Sequence, residues 1–269
     1  MRGTAARTIR AFPTLLRVGV AETFAYRAEF LVWILTTTQP LIMMGLWTSV
    51  ARDKSFHGYD SAAFVAYFLS NLIVRQLTGN WVAWQMMEEI RLGTMAMRLL
   101  RPIHPFFAYV ASHMAAIPFR VAVALPLAVI LLVTSGASSL THAPLQLAVL
   151  PLTIAIAWLL TFAILFAIGA LAFFMTQTFA IANAYFGLYS LFSGYLLPLD
   201  LLPGPIATAA KWLPFRFALA VPVEIMTKSL SGRELAELVA GQVGWLVAMI
   251  AIAMAVWRAG VRRFESVGG

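Results

Sequence analysis

Apolar residues run along this 269-residue chain in six stretches, near 30–51, 62–84, 112–134, 146–173, 178–198 and 236–257. A hydrocarbon core about 30 Å thick needs roughly 20 such residues per helix, so the pattern predicts six transmembrane helices. Ahead of the first stretch, Ile9, Phe12, Leu16, Val20 and Phe24 keep helical spacing while Arg7, Arg10, Thr14 and Arg17 fall on another face. That predicts an amphipathic interfacial helix within 1–29, its regular part starting at Pro13, which suits a first helical turn. Between the second and third stretches, 86–104 is two-faced. Read as one helix, it puts Glu88, Arg91, Arg98 and Arg101 apart from Met86, Ile90, Gly93, Met97 and Leu100, an arrangement suited to a membrane surface or a protein partner.

Segment 198–222 is broken by Pro198, Pro203, Gly204, Pro205, Pro214 and Pro222, yet is rich in Leu199, Leu201, Leu202, Trp212, Leu213 and Phe215. It is too interrupted to span and too apolar for a free loop. Irregular backbone at membrane depth has to be buried in protein or line water, so short re-entrant helices on the outer side are expected. In the last stretch Ala240, Gly244 and Ala248, and again Ala251, Ala255 and Ala259, repeat every four residues. Such stripes suit close helix packing, here read mainly as packing within the subunit rather than a dimer seam.

With 61% hydrophobic and 11% charged residues and a mean hydropathy of +0.85, the chain departs from the roughly 25% charged residues of soluble domains. It reads as an all-α integral membrane protein, a single transmembrane domain over 1–269. A net charge of +8 does not point to nucleic acid, because the basic residues do not cluster on a solvated domain. They report topology instead. Arg2, Arg7, Arg10, Arg17 and Arg27, then Arg91, Arg98 and Arg101, then Arg258, Arg262 and Arg263 all fall on one side of the six-span arrangement, so both termini are expected to be cytoplasmic. Lys211, Arg216, Lys228 and Arg233 oppose that rule in the fifth connection, only partly offset by Asp200, Glu224 and Glu234.

The sequence holds no cysteine, no HExxH, no GxSxG and no GxxxxGK[ST], so thiolate, zinc-hydrolase, serine-hydrolase and P-loop chemistry have no signature here. His57, His104, His113 and His142 are scattered, and neither a catalytic nor a metal site is expected. Glu237 is the one acid within the six stretches, whereas ion-coupled carriers place carboxylates inside the bundle. Energy for uphill transport is therefore expected from another subunit. Arg75 falls mid-span, one turn after Asn71. A central Arg costs about 2.5–3.5 kcal/mol, so it must face protein or water. It either contacts a solute or is held by backbone carbonyls or Asn183. Arg120 is expected to snorkel to the cytoplasmic interface. Tyr185, Phe186, Tyr189 and Phe192 form one helix face that either receives an apolar or cationic solute or packs in the core or a dimer seam.

Three short motifs add a resemblance: Ile90, Arg91, Gly93 with Leu99, Leu100, Pro102; Pro198, Leu199, Leu202, Pro203 with Leu213, Pro214, Phe215; and Trp257, Arg258, Gly260, Arg262, Arg263. With the six-span layout, they resemble the membrane subunits of ATP-binding-cassette transporters of the second exporter class, most like viologen-exporter-type permeases, over nearly the whole chain. The resemblance implies a dimer, with a second copy or a related permease, served by two separate ATPase chains on the cytoplasmic side. ATP and Mg would sit in those partners, and this chain would carry no cofactor. ATPase coupling then falls on Glu88, Glu89, Ile90, Arg91, Gly93, Thr94, Arg98 and Arg101, with Ile90, Met97 and Leu100 anchoring the segment. The implied path runs along spans two and five past Asn71, Arg75, Asn183, Phe186, Tyr189 and Phe192, under an outer gate of Leu199, Leu202 and Phe215. The implied activity is efflux of a small amphiphilic or cationic compound from the cytoplasm of a bacterium, across its inner membrane. Export of a lipid or glycan is the alternative, and an ion-coupled carrier or a lipid-modifying enzyme built on Glu22, His104 and His113 are the readings from other classes.

Overall fold

The structure, a computed structural model, describes residues 2–25, 39–135 and 137–268. Positions 30–38 of the first expected span, Arg27 and the Glu22 side chain lie outside the described residues. Helices run in the order α1 Arg2–Ala25, α2 Gln39–Val50, α3 Ser61–Thr78, α4 Val82–Arg91, α5 Met95–Leu99, α6 Pro105–Ala115, α7 Ile117–Ser135, α8 Pro144–Ala170, α9 Thr178–Phe192, α10 Gly204–Trp212, α11 Pro214–Ala218, α12 Ala220–Thr227 and α13 Gly232–Gly268. Single 3-10 turns at Ala137–Ser139, Leu171–Phe173 and Leu199–Leu201 join them.

Among the described residues two helices are long and apolar enough by themselves to cross a membrane, Pro144–Phe173 and Gly232–Phe264, with mean hydropathies of 2.5 and 2.1. Of the other expected spans, the second is divided and the fifth is shorter than expected, while α7 covers most of the third as one helix. The second stretch breaks at 79–81 into α3 and α4, since Gly79 leaves the helix in an extended conformation after its N–H closes the last turn onto the Arg75 carbonyl at 2.9 Å. The fifth stops at Phe192, six residues before the expected end at 198. Gly194 adopts φ +83° there, a conformation that favours glycine and ends a helix. Pro13 lies inside α1, not at its start, because the helix already begins at Arg2.

α8 forms the centre of the subunit, with α13, α4, α12 and α3 packed around it. Its Trp158, Phe162 and Phe166 stack in series and meet Phe106 of α6 and Trp257 of α13. Gly169 brings α4 close, since a Cβ there would stand 2.9 Å from the Met86 Cβ. Burying backbone polar groups in an apolar interior is costly unless they are paired, and two glutamines supply the pairing. Gln146 donates to the Ile225 and Lys228 carbonyls at 2.9 and 2.8 Å and accepts from Leu230 N–H at 3.2 Å. Gln242 donates to the Thr153 and Phe217 carbonyls at 3.2 and 2.9 Å.

The small-residue stripes of α13 do not face this core. Ala240, Gly244, Ala251, Ala255 and Ala259 are exposed. The close approaches inside the subunit use Gly241 against Phe217 and Gly260 against Phe173 instead. Packing of those stripes within the subunit is thereby corrected: the helix turns them outward because Leu235, Leu238, Gln242, Ala253 and Trp257 occupy the inward face.

Candidate coupling region and translocation path

Segment 86–104 is two helices and not one. Gly93 takes φ +74°, so the helix breaks between α4 and α5 and the single-helix face does not survive. Met86 and Met95 are fully buried, whereas Met97 and Leu100 are 67% and 80% exposed, and Leu92 is 63% exposed. Met97 and Leu100 therefore do not anchor the segment; Met95 does, with half-buried Ile90 beside it.

The charged residues divide likewise. Glu88 and Arg91 pair with each other at 2.6 Å on the outside, with side chains 52% and 73% exposed. Glu89 turns inward and takes a two-pronged contact from Arg98, Nη2 to Oε1 at 2.5 Å and Nε to Oε2 at 2.7 Å. Tyr109 of α6 donates to Glu89 Oε2 at 2.5 Å, and the Arg98 guanidinium lies over the Tyr109 ring at 4.2 Å. Gln85 donates to Glu89 Oε1 at 3.2 Å, and Thr94 donates to the Glu89 carbonyl at 3.3 Å. The carboxylate thus ties α4, α5 and α6 into one unit. Arg101 is exposed beside Leu100. His104 caps α6 by accepting from Phe106 N–H at 3.2 Å, and partial burial, with Arg258 nearby, holds its imidazole below the ordinary value near 6.5.

A cavity of about 790 Å³ opens beside this region, lined by Trp81, Trp84, Glu88, Arg91, Thr176 and Phe179 among others. Trp84 stacks on Phe186 at 5.1 Å, which joins the cavity to the aromatic face of α9. On that face Tyr185, Phe186, Tyr189 and Phe192 point inward together, and Phe192 stacks on Phe215 of the broken segment at 6.4 Å. Leu199 and Leu202 join Phe192 in one cluster with Ala210 and Ala220.

Other expected path residues part company. Asn183 is exposed on the opposite face of α9 and does not hold Arg75. Arg75 instead stands over the Tyr189 ring at 5.6 Å. Asn71 donates to the Gly194 carbonyl at 2.8 Å, alongside the Tyr67 hydroxyl at 2.7 Å, so it braces the end of α9. Arg120 does not snorkel. It is 6% exposed and gives an N–H to the Gly79 carbonyl, which the break after α3 leaves without a helical partner.

The four cations of the fifth connection are largely neutralised locally. Arg216 meets Glu224 at 2.8 Å, Lys228 meets Asp200 at 2.5 Å, and Arg233 meets Glu237 at 2.9 Å. Although burial pushes the Asp200 carboxyl up, the bond and charge of Lys228 hold it below the usual range, and the Tyr59 hydroxyl adds a second contact at 3.3 Å. Reading the sequence missed Tyr109 and the cavity residues Gln85 and Thr176. Only the i,i+4 spacing of Gln85 and Glu89 was there to suggest a shared role.

His104 and His113 are not drawn into a reactive cluster: His104 packs against Trp257, while His113 meets Gln85 at 3.2 Å and Trp81 edge-on. No curated relative matches the chain. A family model described as ABC-2 family transporter protein matches residues 34–268. With an all-helical fold and that match over most of its length, the chain belongs to the ABC-2 family of transporter membrane proteins, the permease subunits of ABC transporters.

Proposed function

We propose that this permease moves a small amphiphilic compound outward across a bacterial inner membrane, as one half of a dimer driven by two separate ATPase chains. Six spans with both termini cytoplasmic would place the α4–α5 turn on the ATPase side. The reading is carried by one observation: Leu92, Met97 and Leu100 stand largely exposed among Glu88, Arg91 and Arg101. An apolar patch rimmed by charge is the usual form of a protein docking face.

Behind that face the Glu89, Arg98 and Tyr109 contacts link it to α6, which leads directly into α7. A push on the turn would reach the bundle as movement of a stiff unit, a shift between two states biased by nucleotide. The cavity at Trp81 and Trp84 serves as the inner vestibule, and the aromatic face of α9 carries the solute toward Leu199, Leu202 and Phe215. The exposed face of α9, with Asn183, Gly187 and Leu188, and the outward stripe of α13 are available to the second permease subunit and to lipid.

Reconstitution of the chain with its ATPase partner tests this. ATP-dependent movement of an amphiphilic dye, with hydrolysis stimulated by the permease, is the expected result. Transport that persists without the ATPase and collapses with the proton gradient would establish an ion-coupled carrier instead.

A further inference from the structure

At the break after α3 two cations converge. Arg120 and Arg75, from α7 and α3, bring their Nη1 atoms to 2.9 and 3.1 Å from the point where a Cβ on Gly79 would sit. Arg120 uses one N–H on the Gly79 carbonyl, while its Nε and Nη2 are buried with no acceptor. Asn80, 6% exposed, has both side-chain amide atoms buried and unused. Among the described residues, no ion pair includes either arginine.

A helix staple accounts for the contact to Gly79 and for nothing more. It leaves two buried donors of Arg120 unmet and a second guanidinium close by, which is held by the Tyr195 hydroxyl and the Tyr189 ring, with the unused Asn80 amide next along the chain, where like charges repel and unpaired donors are costly. An anion between them satisfies all of these at once, since guanidinium forks match carboxylate and phosphate oxygens. The ring face of Tyr189 is already taken by Arg75, so a cationic solute there would meet a cation and not an open ring. Trp81 lies with its ring 6.0 Å from the Arg120 guanidinium carbon and also lines the inner cavity.

We infer that Arg75, Arg120 and Asn80 form a binding site for the anionic headgroup, carboxylate or phosphate, of a single-tailed amphiphile whose tail lies along Trp81 toward the inner cavity. As a substrate site it rests on the export reading above, and it replaces a cationic solute with an anionic one.

The test uses the full chain in nanodiscs of zwitterionic lipid, titrated calorimetrically with dodecyl phosphate, dodecanoate and dodecyltrimethylammonium, three probes sharing a tail length. The anions are expected to bind about tenfold tighter than the cation, and Arg75→Gln to remove about that factor while Arg75→Lys retains most of it. Arg120→Gln also removes the contact to Gly79 and is read only alongside a thermal unfolding curve; Arg75→Gln is the deciding variant. Equal binding of anion and cation, or anion binding unchanged in Arg75→Gln, would overturn the site. Competition by phosphatidylglycerol in the disc would show a two-tailed resident lipid as the anion and overturn the single-tailed assignment; its absence supports a free amphiphile. Binding is read without the ATPase, so a failure of export leaves this result standing, and ATP-driven export without charge preference would sink the site alone.

Discussion

The Tyr109 hydroxyl donates to Glu89 Oε2 at 2.5 Å, joining residues 20 positions apart across the α4–α5 turn. The same carboxylate holds Arg98, and both members of that ion pair are less than one-fifth exposed. Glu89→Gln would leave the Arg98 charge partly buried without its partner. A loss of about 2 kcal/mol is expected, below the range for fully buried pairs because some solvent reaches both groups. Thermal unfolding of the detergent-solubilised protein measures it. Glu88→Gln, which breaks only the exposed pair with Arg91, should change stability by less than about 0.5 kcal/mol.

Gly93 and Gly194 both hold a positive φ, but their surroundings differ. A Cβ at Gly93 meets nothing within 4 Å, so Gly93→Ala carries only the backbone penalty, about 1 kcal/mol. At Gly194 a Cβ would run into the Tyr67 hydroxyl, whose bond to the Gly194 carbonyl, with that of Asn71, holds the end of α9. Gly194→Ala should therefore be the more damaging of the two by at least about 2 kcal/mol. Fluorescence-detected unfolding of the two variants side by side gives the comparison.

Some of this was legible in the sequence. The apolar stretches at 146–173 and 236–257 announced α8 and α13, and the proline-broken 198–222 segment does fold into a 3-10 turn and short helices. What failed was local. Periodicity alone does not show that Gly93 breaks the helix, so it sets Met97 and Leu100 on the buried side, where the structure exposes them. Spacing within a span could not tell that Asn71 braces Gly194 or that Asn183 faces away, because those outcomes depend on contacts between residues more than 100 positions apart. The excess of cations in the fifth connection became intelligible only once Arg216, Lys228 and Arg233 were seen against their carboxylates.

His104 gives the coupling end a pH dependence. Its folded value lies below the unfolded one near 6.5, so just below that pH the folded chain binds fewer protons than the unfolded chain and stability rises with pH. The contribution is complete above about 6.5 and is lost as pH falls through and below it, when protonation of Nδ1 also removes the acceptor for Phe106 N–H. Unfolding midpoints measured between about pH 5 and 8 should fall on the acid side for the native chain, and His104→Asn, which can still cap, should flatten that limb.

Gln146 satisfies three backbone groups where 225–230 turns back over α8. Gln146→Leu keeps the bulk and leaves those groups unpaired, with an expected loss of about 2–3 kcal/mol. Limited proteolysis should locate the loosening, with cleavage gained around Lys228 and not in the α4–α5 turn.

If the exposed face of α4 and α5 receives the ATPase, ATP hydrolysis by the reconstituted complex carrying Leu100→Asp reports it. Leu100 is 80% exposed, so the substitution should leave the unfolding midpoint of the permease unchanged. Permease-stimulated hydrolysis and co-purification of the ATPase are expected to fall at least about tenfold, the loss typical of a charge set into an apolar contact. Hydrolysis and co-purification at native levels in that variant would show that the ATPase docks elsewhere.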